Sequence, residues 1–88
     1  MIEMLTTHEA TVELQRLESA GIELFGLDGF RFLQDGRYEA PIDLIIDFTM
    51  AGAPISTPAQ RFAEARQFVT ANDTPEARWE IVSGSEQV

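Results

Sequence analysis

The chain has no cysteine and no lysine among its 88 residues. Without cysteine, the sequence excludes a disulfide scaffold, a thiolate metal site, a thiol nucleophile and an iron–sulfur cluster. Secreted proteins of this size more often carry disulfides, so we expect a cytoplasmic location. All six basic residues are arginines, a bias typical of bacterial genomes rich in G and C.

Long apolar runs are lacking as well. The longest ones fall far short of the roughly 18–20 residues that span a bilayer. The first four residues, Met1-Ile2-Glu3-Met4, include an acid where a signal peptide has basic residues. We therefore expect neither a membrane-spanning helix nor a signal peptide.

Few side chains are suited to catalysis. His8 is the only histidine, and it falls in the first turn of a predicted helix without partners that would make it a general base. There is no glycine-rich phosphate loop and no close pair of carboxylates. The sequence therefore predicts a protein that is not an enzyme and holds no metal and no cofactor.

The charge is strongly acidic. Fifteen Asp and Glu residues against six arginines give a net charge of −9, and the pI is near 4.3. This balance argues against nucleic acid and anionic membrane surfaces as partners, and it favours a basic protein. Solubility alone is the alternative explanation. Residues 1–47 carry a net −7 and residues 48–88 a net −2, so the acidity is concentrated in the first half.

Two helices are predicted from their caps and their apolar periodicity. Thr6, with Glu9 three residues later, forms a capping box that opens a helix over residues 7–20. Thr57 and Gln60 form a second box with proline between them at the first helical position, and this helix ends near Asn72.

Between and after the helices the apolar period changes to two, which predicts strands. Two Asp-Gly pairs, Asp28-Gly29 and Asp35-Gly36, are hairpin signals and divide the first three strands into an antiparallel meander. The predicted strands are residues 22–25, 30–33, 42–48 and 78–82.

The second hairpin also fixes a register. A three-residue loop that ends in a left-handed Gly36 pairs Phe32 with Tyr38 and Arg31 with Glu39. A one-residue slip would invert the buried face, so we expect this register. The core face would then carry Phe30, Phe32, Tyr38, Ile42, Leu44, Ile46 and Phe48.

The predicted fold is α+β, a two-layer sandwich in the order α-β-β-β-α-β. The segment from the third strand through the second helix to the last strand is long enough for a crossover, which would make those two strands parallel. We therefore expect a four-stranded mixed sheet with two helices on one face. Residues 1–82 would form a single domain and residues 83–88 a flexible C-terminal tail.

The uncovered face of this sheet is the main candidate site. Acidic residues would alternate along the third strand, with Asp43 and Asp47 roughly 13 Å apart. That distance is too long for two carboxylates to share a proton or a small cation, but it suits the basic side chains of a partner protein. Apolar residues among the acids, with Phe25 a further candidate, would provide anchors. The predicted partner-binding residues are Glu23, Leu33, Glu39, Asp43, Ile45 and Asp47, and a merely solvated sheet face is the alternative.

The uncharged loop between the third strand and the second helix is a second candidate. Met50 and Ile55 in this loop could form a dimer contact or line a small apolar pocket, and ordinary packing is the alternative. Other polar residues have structural explanations. Asp28 and Asp35 suit turns, Ser56 and Thr57 suit the start of a helix, and Trp79 suits the core.

Two functional hypotheses follow from these features. The first is an inhibitor or adaptor that binds a basic protein through the acidic sheet face, by analogy with immunity proteins and antitoxins. The second is a homo-oligomeric accessory or small-ligand-binding protein, in which the acidity serves solubility and a homodimer forms through strand edges or the Met50–Ile55 loop.

Overall fold

A computed structural model of the chain describes residues 4–49 and 56–84. These residues have the predicted α+β fold, and the helices and strands follow in the predicted order. The elements are α1 (Thr7–Ser19), β1 (Leu24–Phe32), β2 (Tyr38–Glu39), a 3-10 turn (Ile42–Leu44), β3 (Ile45–Asp47), α2 (Pro58–Ala71) and β4 (Ala77–Ser83).

Both predicted capping boxes are confirmed. At α1 the backbone N–H of Thr6 donates to Glu9 Oε1 at 2.9 Å, and the N–H of Glu9 donates to Thr6 Oγ1 at 3.2 Å. At α2 Thr57 and Gln60 make the same reciprocal pair at 2.8 and 3.2 Å. These bonds satisfy backbone donors that have no partner inside a helix, so the boxes set where each helix begins.

The register of the second hairpin is confirmed too. Arg31 lies opposite Glu39 and Phe32 opposite Tyr38. The N–H of Leu33 donates to the carbonyl of Arg37 at 2.8 Å. Gly36 has a φ of 87°, in the left-handed region that a side chain disfavours.

The first predicted hairpin is wrong. Asp28 and Gly29 lie inside β1, which runs unbroken from Leu24 to Phe32. Gly29 is opposite Trp79, and a Cβ on Gly29 would lie 2.7 Å from Trp79 Cζ3 and 2.8 Å from Leu44 Cβ. The glycine therefore permits a close approach of two buried side chains instead of forming a turn.

The prediction of one strand over residues 42–48 is also wrong. β2 pairs with β1 at residues 31–32 and β3 pairs with it at residues 26–28, so residues 40–44 pass over only residues 29–30. The extra length is taken up by the 3-10 turn, in which the N–H of Leu44 donates to the carbonyl of Pro41 at 3.1 Å. Continuing the hairpin register would place residue 42 opposite Asp28, whereas Ile45 lies there, an offset of three residues.

This offset divides the predicted core face, because an odd shift exchanges the two faces of a strand. Ile46 lies opposite Leu27 and packs against the core, as do Leu44 and Phe48. Phe32 and Tyr38 are exposed on the other face, and Ile42 on the 3-10 turn is 87% exposed. Half of the predicted core face is therefore solvent-facing.

The sheet is antiparallel and not mixed, which corrects the predicted topology. β1 is central and pairs antiparallel with β2, β3 and β4. Arg31 pairs with Glu39 and with Ala77, so β4 lies along one edge of β1 while β2 and β3 follow each other along the opposite edge. β3 and β4 do run in the same direction, but β1 lies between them.

Trp79 is at the centre of the core and is fully buried. Its indole N–H donates to Thr7 Oγ1 at 3.1 Å, and its backbone N–H and carbonyl both pair with Leu5 at 2.8 Å. Phe68 of α2 packs edge-on against the indole at 5.9 Å. Trp79 thus joins the sheet to both helices, whose buried residues are Ala10, Leu14, Leu17, Phe62, Ala65 and Val69.

A bulge at the start of β1 increases the apolar contribution of that strand. Leu24 lies opposite Ser83 and Gly26 opposite Val82, so the pairing skips Phe25. The extra residue changes the phase of the strand, and Leu24 and Leu27 are consequently both buried.

The end of the chain differs in part from the predicted tail. Ser83 belongs to β4, and the N–H of Gly84 donates to the carbonyl of Glu23 at 2.9 Å. These two residues of the predicted tail are therefore hydrogen-bonded or paired, and residues 85–88 lie outside the described residues.

Gly29→Ala tests the close approach at Trp79. We expect a loss of about 1–3 kcal/mol in the free energy of unfolding, because the new methyl group overlaps a buried ring and a buried Cβ. Gly84→Ala is the matched control, since its Cβ would meet only ordinary contacts at 3.8–3.9 Å. Urea denaturation would measure both variants, and similar losses in the two would contradict the explanation given for Gly29.

Glu9→Gln tests the charged capping box. Hydrogen bonds from the backbone and side chain of Thr6 lower the pKa of Glu9. A carboxylate with a lowered pKa stabilises the fold above the ordinary glutamate range, and this contribution is lost as the pH falls through the folded-state pKa. We therefore expect the stability difference between wild type and Glu9→Gln to shrink from about pH 6 to about pH 3 in urea denaturation.

Gln60→Glu is the reciprocal control, because it gives the second box the charged residue of the first. It should add acid sensitivity where the wild-type box has none. A stability difference between wild type and Glu9→Gln that stayed constant with pH would show that the capping carboxylate does not contribute as described.

Candidate functional site

One face of the sheet packs on the helices, and the opposite face carries the candidate site. We call this second face the open face. Its members follow from strand register, since alternate residues of β1 and their partners point to the same side. They are Asp28, Phe30, Phe32, Tyr38, Ile45, Asp47, Arg78, Glu80 and Val82.

Exposed large apolar side chains are concentrated in the sheet layer. Among the described residues six are exposed, and Val12 is the only one in a helix. The other five are Phe32, Tyr38, Ile42, Ile45 and Val82, four on the open face and Ile42 on the 3-10 turn beside it. Scattered apolar residues need no explanation, but a concentration of them on one side indicates a contact surface.

Two carboxylates lie directly opposite each other on the open face. Asp28 of β1 is the register partner of Glu80 of β4, and Ile45 lies on the other side of Asp28. Neither carboxylate has an ion pair or side-chain hydrogen bond within residues 4–49 and 56–84. Like charges in directly opposed positions destabilise a sheet, so this pair is a cost to the isolated domain.

The arginines are mostly committed to carboxylates elsewhere. Arg16, Arg31, Arg37, Arg61 and Arg66 form ion pairs with Glu13, Glu39, Asp35, Glu23 and Glu18, respectively. Arg78 is different, because it donates to the backbone carbonyls of Pro75 and Ala77 and its guanidinium lies 5.9 Å from the centre of the Phe32 ring. Much of the acidic charge on the helical side is thus locally neutralised, while Asp28 and Glu80 are not.

Of the six predicted partner-binding residues, the structure brings two together on the open face. Ile45 and Asp47 are both there, and Asp47 accepts hydrogen bonds from the N–H and hydroxyl of Thr49 at 2.8 and 2.6 Å. Glu39 is opposite Arg31 and on the helix side of the sheet. The three-residue offset is the reason for this separation.

The remaining predicted residues are dispersed. Glu23 precedes β1 and its Oε1 lies 3.4 Å from Arg61 Nη1 of α2. Asp43 is exposed on the 3-10 turn, and Leu33 is half-buried beside the hairpin loop. The predicted distance between Asp43 and Asp47 assumed one continuous strand and therefore does not apply. Met50 and Ile55 lie outside the described residues.

The largest described cavity lies between the end of α1, the start of β1 and the start of α2. It has a volume of about 480 Å³, and its polar lining includes Glu18, Glu23, Ser56 and Arg61. These groups already bond to protein partners. Arg61 donates to Ser56 Oγ at 3.1 Å and contacts Glu23, and Glu18 pairs with Arg66 at 2.7 Å. The cavity therefore presents no unsatisfied polar group for a ligand.

The other polar candidates have structural roles. Asp35 accepts hydrogen bonds from the backbone and side chain of Arg37 and closes the hairpin loop. Thr57 caps α2, and His8 is exposed in the first turn of α1. Within the described ranges there is no cluster of three or more histidine, aspartate or glutamate side chains that could hold a metal ion.

Sequence reasoning missed four members of the open face. Phe32 and Tyr38 were assigned to the core, Asp28 was assigned to a turn, and Glu80 was not considered. The alternation of Arg78, Glu80 and Val82 on the outward side of the last strand was a usable signal, because Trp79 and Ile81 were already predicted to face inward. The sequence holds no comparable signal for the offset that exposes Phe32 and Tyr38.

None of the described helices is long and apolar enough to cross a membrane. No protein-family model matches this chain, and searches of curated proteins and of solved structures gave no match.

Proposed function

We propose that this protein is a small acidic interaction domain that binds a basic protein through the open face of its sheet. The concentration of exposed apolar side chains around the unpaired Asp28 and Glu80 is the observation that carries this proposal. A surface of this kind combines anchoring with charge selection.

Anchoring would come from the apolar members. Phe32 and Tyr38 form one exposed aromatic pair, with ring centres 5.3 Å apart, and Ile45 and Val82 lie beside the carboxylates. Large side chains that become buried in an interface contribute most of its binding energy. These four residues are exposed in the free domain and would lose that exposure on binding.

Charge selection would come from Asp28 and Glu80 together with the net charge of −9. The whole field attracts a basic partner over distances near the Debye length, about 8 Å in physiological salt. At contact, a cationic side chain between Asp28 and Glu80 would remove the repulsion that these carboxylates cause across β1 and β4. The pair therefore costs the free domain stability that a bound cation would restore.

The biological role in this proposal is an inhibitor or adaptor, as in immunity proteins and antitoxins that cover the basic site of another protein. Such a role is non-enzymatic and needs neither metal nor cofactor. The same proposal places the protein in the cytoplasm, in keeping with the absence of cysteine. Nucleic acid and membrane surfaces are not the partners in this proposal, because their negative charge would be repelled.

Capture from a native lysate with three forms of tagged protein tests the proposal. The baits are wild type, the open-face variant Asp28→Lys with Glu80→Lys, and a control, Glu64→Lys with Asp73→Lys. The control makes the same change in net charge at exposed positions of the helical layer. Mass spectrometry would identify the proteins that each bait retains at low salt.

We expect a basic protein that wild type and the control retain in near-stoichiometric amounts, that the open-face variant binds at least about tenfold more weakly, and that high salt releases. Equal retention by all three baits, or equal loss from both variants, would contradict binding through the open face. Recovery of the protein alone, with self-association that resists salt, would favour the homo-oligomeric alternative.

A further inference from the structure

Arg78 has hydrogen-bond donors that the domain does not use. Both of its hydrogen bonds come from Nη1, at 3.0 Å to the carbonyl of Pro75 and 2.7 Å to the carbonyl of Ala77. Its Nε and Nη2 groups have no partner among the described residues, and the side chain is half-buried. It is also the one arginine of the six without a carboxylate partner in the described part of the chain.

A carboxylate is close in the sheet, yet Arg78 does not pair with it. Glu80 is two residues further along β4 on the same face, roughly 7 Å away by strand geometry. The carbonyls of Pro75 and Ala77 and the ring of Phe32 hold the guanidinium towards the opposite end of the strand. The two carbonyl bonds therefore fix the guanidinium in place without neutralising its charge.

Aromatic rings surround this guanidinium. Phe32 lies beneath it, and Tyr38 contacts both Phe32 and Phe30, with ring centres 5.3 and 6.4 Å away. The hydroxyl of Tyr38 has no hydrogen bond within the described ranges. A fixed guanidinium edge beside an aromatic surface and a free hydroxyl suits a planar carboxylate, because the fork of N–H groups matches its two oxygens.

We propose that Arg78, Phe32 and Tyr38 form a carboxylate subsite at one end of the open face, which receives an Asp, Glu or C-terminal carboxylate of the protein bound there. The open face then recognises a partner with two features, a cation over Asp28 and Glu80 and a carboxylate over Arg78. This arrangement gives the partner one orientation, since the reverse placement would bring like charges together. The identity of the occupant as a protein rests on the proposed function, but the chemistry of the subsite does not.

Nearby acidic residues limit the affinity for a free carboxylate. Glu80 and Asp28 share the face, Glu76 precedes β4, and Glu9 is close enough for Arg78 to contribute to its lowered pKa. A small carboxylate alone should consequently bind weakly, and its binding should be detected by where it acts and not by its strength.

An NMR titration of isotope-labelled protein with sodium benzoate tests the subsite without any protein partner. Benzoate supplies a planar carboxylate on an aromatic ring, and benzyl alcohol is the uncharged control ligand. We expect benzoate to shift the Arg78 Nε–Hε signal and the ring signals of Phe32 and Tyr38 in a saturable way. Benzyl alcohol should give shifts about fivefold smaller at the same concentration.

Two arginine variants separate the subsite from general charge effects. Arg78→Gln should abolish the benzoate shifts at Phe32 and Tyr38. Arg37→Gln removes the same charge from the neighbouring hairpin, where Arg37 pairs with Asp35, and should leave those shifts unchanged. Equal shifts with benzyl alcohol, an Arg78 signal that does not move, or equal losses in the two variants would each overturn the subsite.

The partner gives a second test with an informative sign. Arg78→Gln makes the domain more acidic, so electrostatic attraction alone predicts tighter binding to a basic protein. A carboxylate over Arg78 predicts binding about fivefold weaker. Tighter binding would overturn the oriented docking, whereas failure of the proposed function would appear as capture that is independent of Asp28 and Glu80.

Discussion

The contact between Trp79 and Gly29 determines most of this fold. The indole ring is fully buried and lies against the backbone of the facing strand, where a side chain on residue 29 has no room. Removing a tryptophan side chain from water contributes about 4–6 kcal/mol by area. A glycine in a strand costs only about 1 kcal/mol. The burial of Trp79 therefore outweighs the turn preference of Asp28-Gly29, and β1 continues as a long central strand.

The open face follows from that central strand. β4 takes one full edge of β1, and the shorter β2 and β3 must share the other. Leu44, between them, turns inward and packs against Gly29 beside Trp79, and the 3-10 turn forms around it. The resulting offset of three residues sends Ile46 into the core and leaves Phe32 and Tyr38 exposed. The composition of the open face is thus a consequence of packing on the opposite face.

Local features of the structure could be predicted from the sequence, and features that depend on distant residues could not. The capping boxes at Thr6 and Thr57 and the Gln34–Gly36 loop involve residues at most a few positions apart, and all were predicted. The fate of Asp28-Gly29 depends on Trp79, fifty residues away, and the break within residues 42–48 depends on Leu44 filling the space beside that ring. For the same reason the candidate site was half predicted: Ile45 and Asp47 lie on the open face, whereas Glu39 moved to the other side.

The pairing of Asp28 tests this account most directly, because both the core and the open face depend on it. Cross-strand NOEs in the labelled protein would identify the residue opposite Asp28 on the β2–β3 edge, where Hα atoms of directly opposed residues come within NOE range. Our account predicts NOEs from Asp28 to Ile45, together with contacts between the Gly29 Hα protons and the indole ring of Trp79. NOEs from Asp28 to Ile42 would instead show the uninterrupted hairpin register, place Phe32 and Tyr38 in the core, and contradict the open face described here.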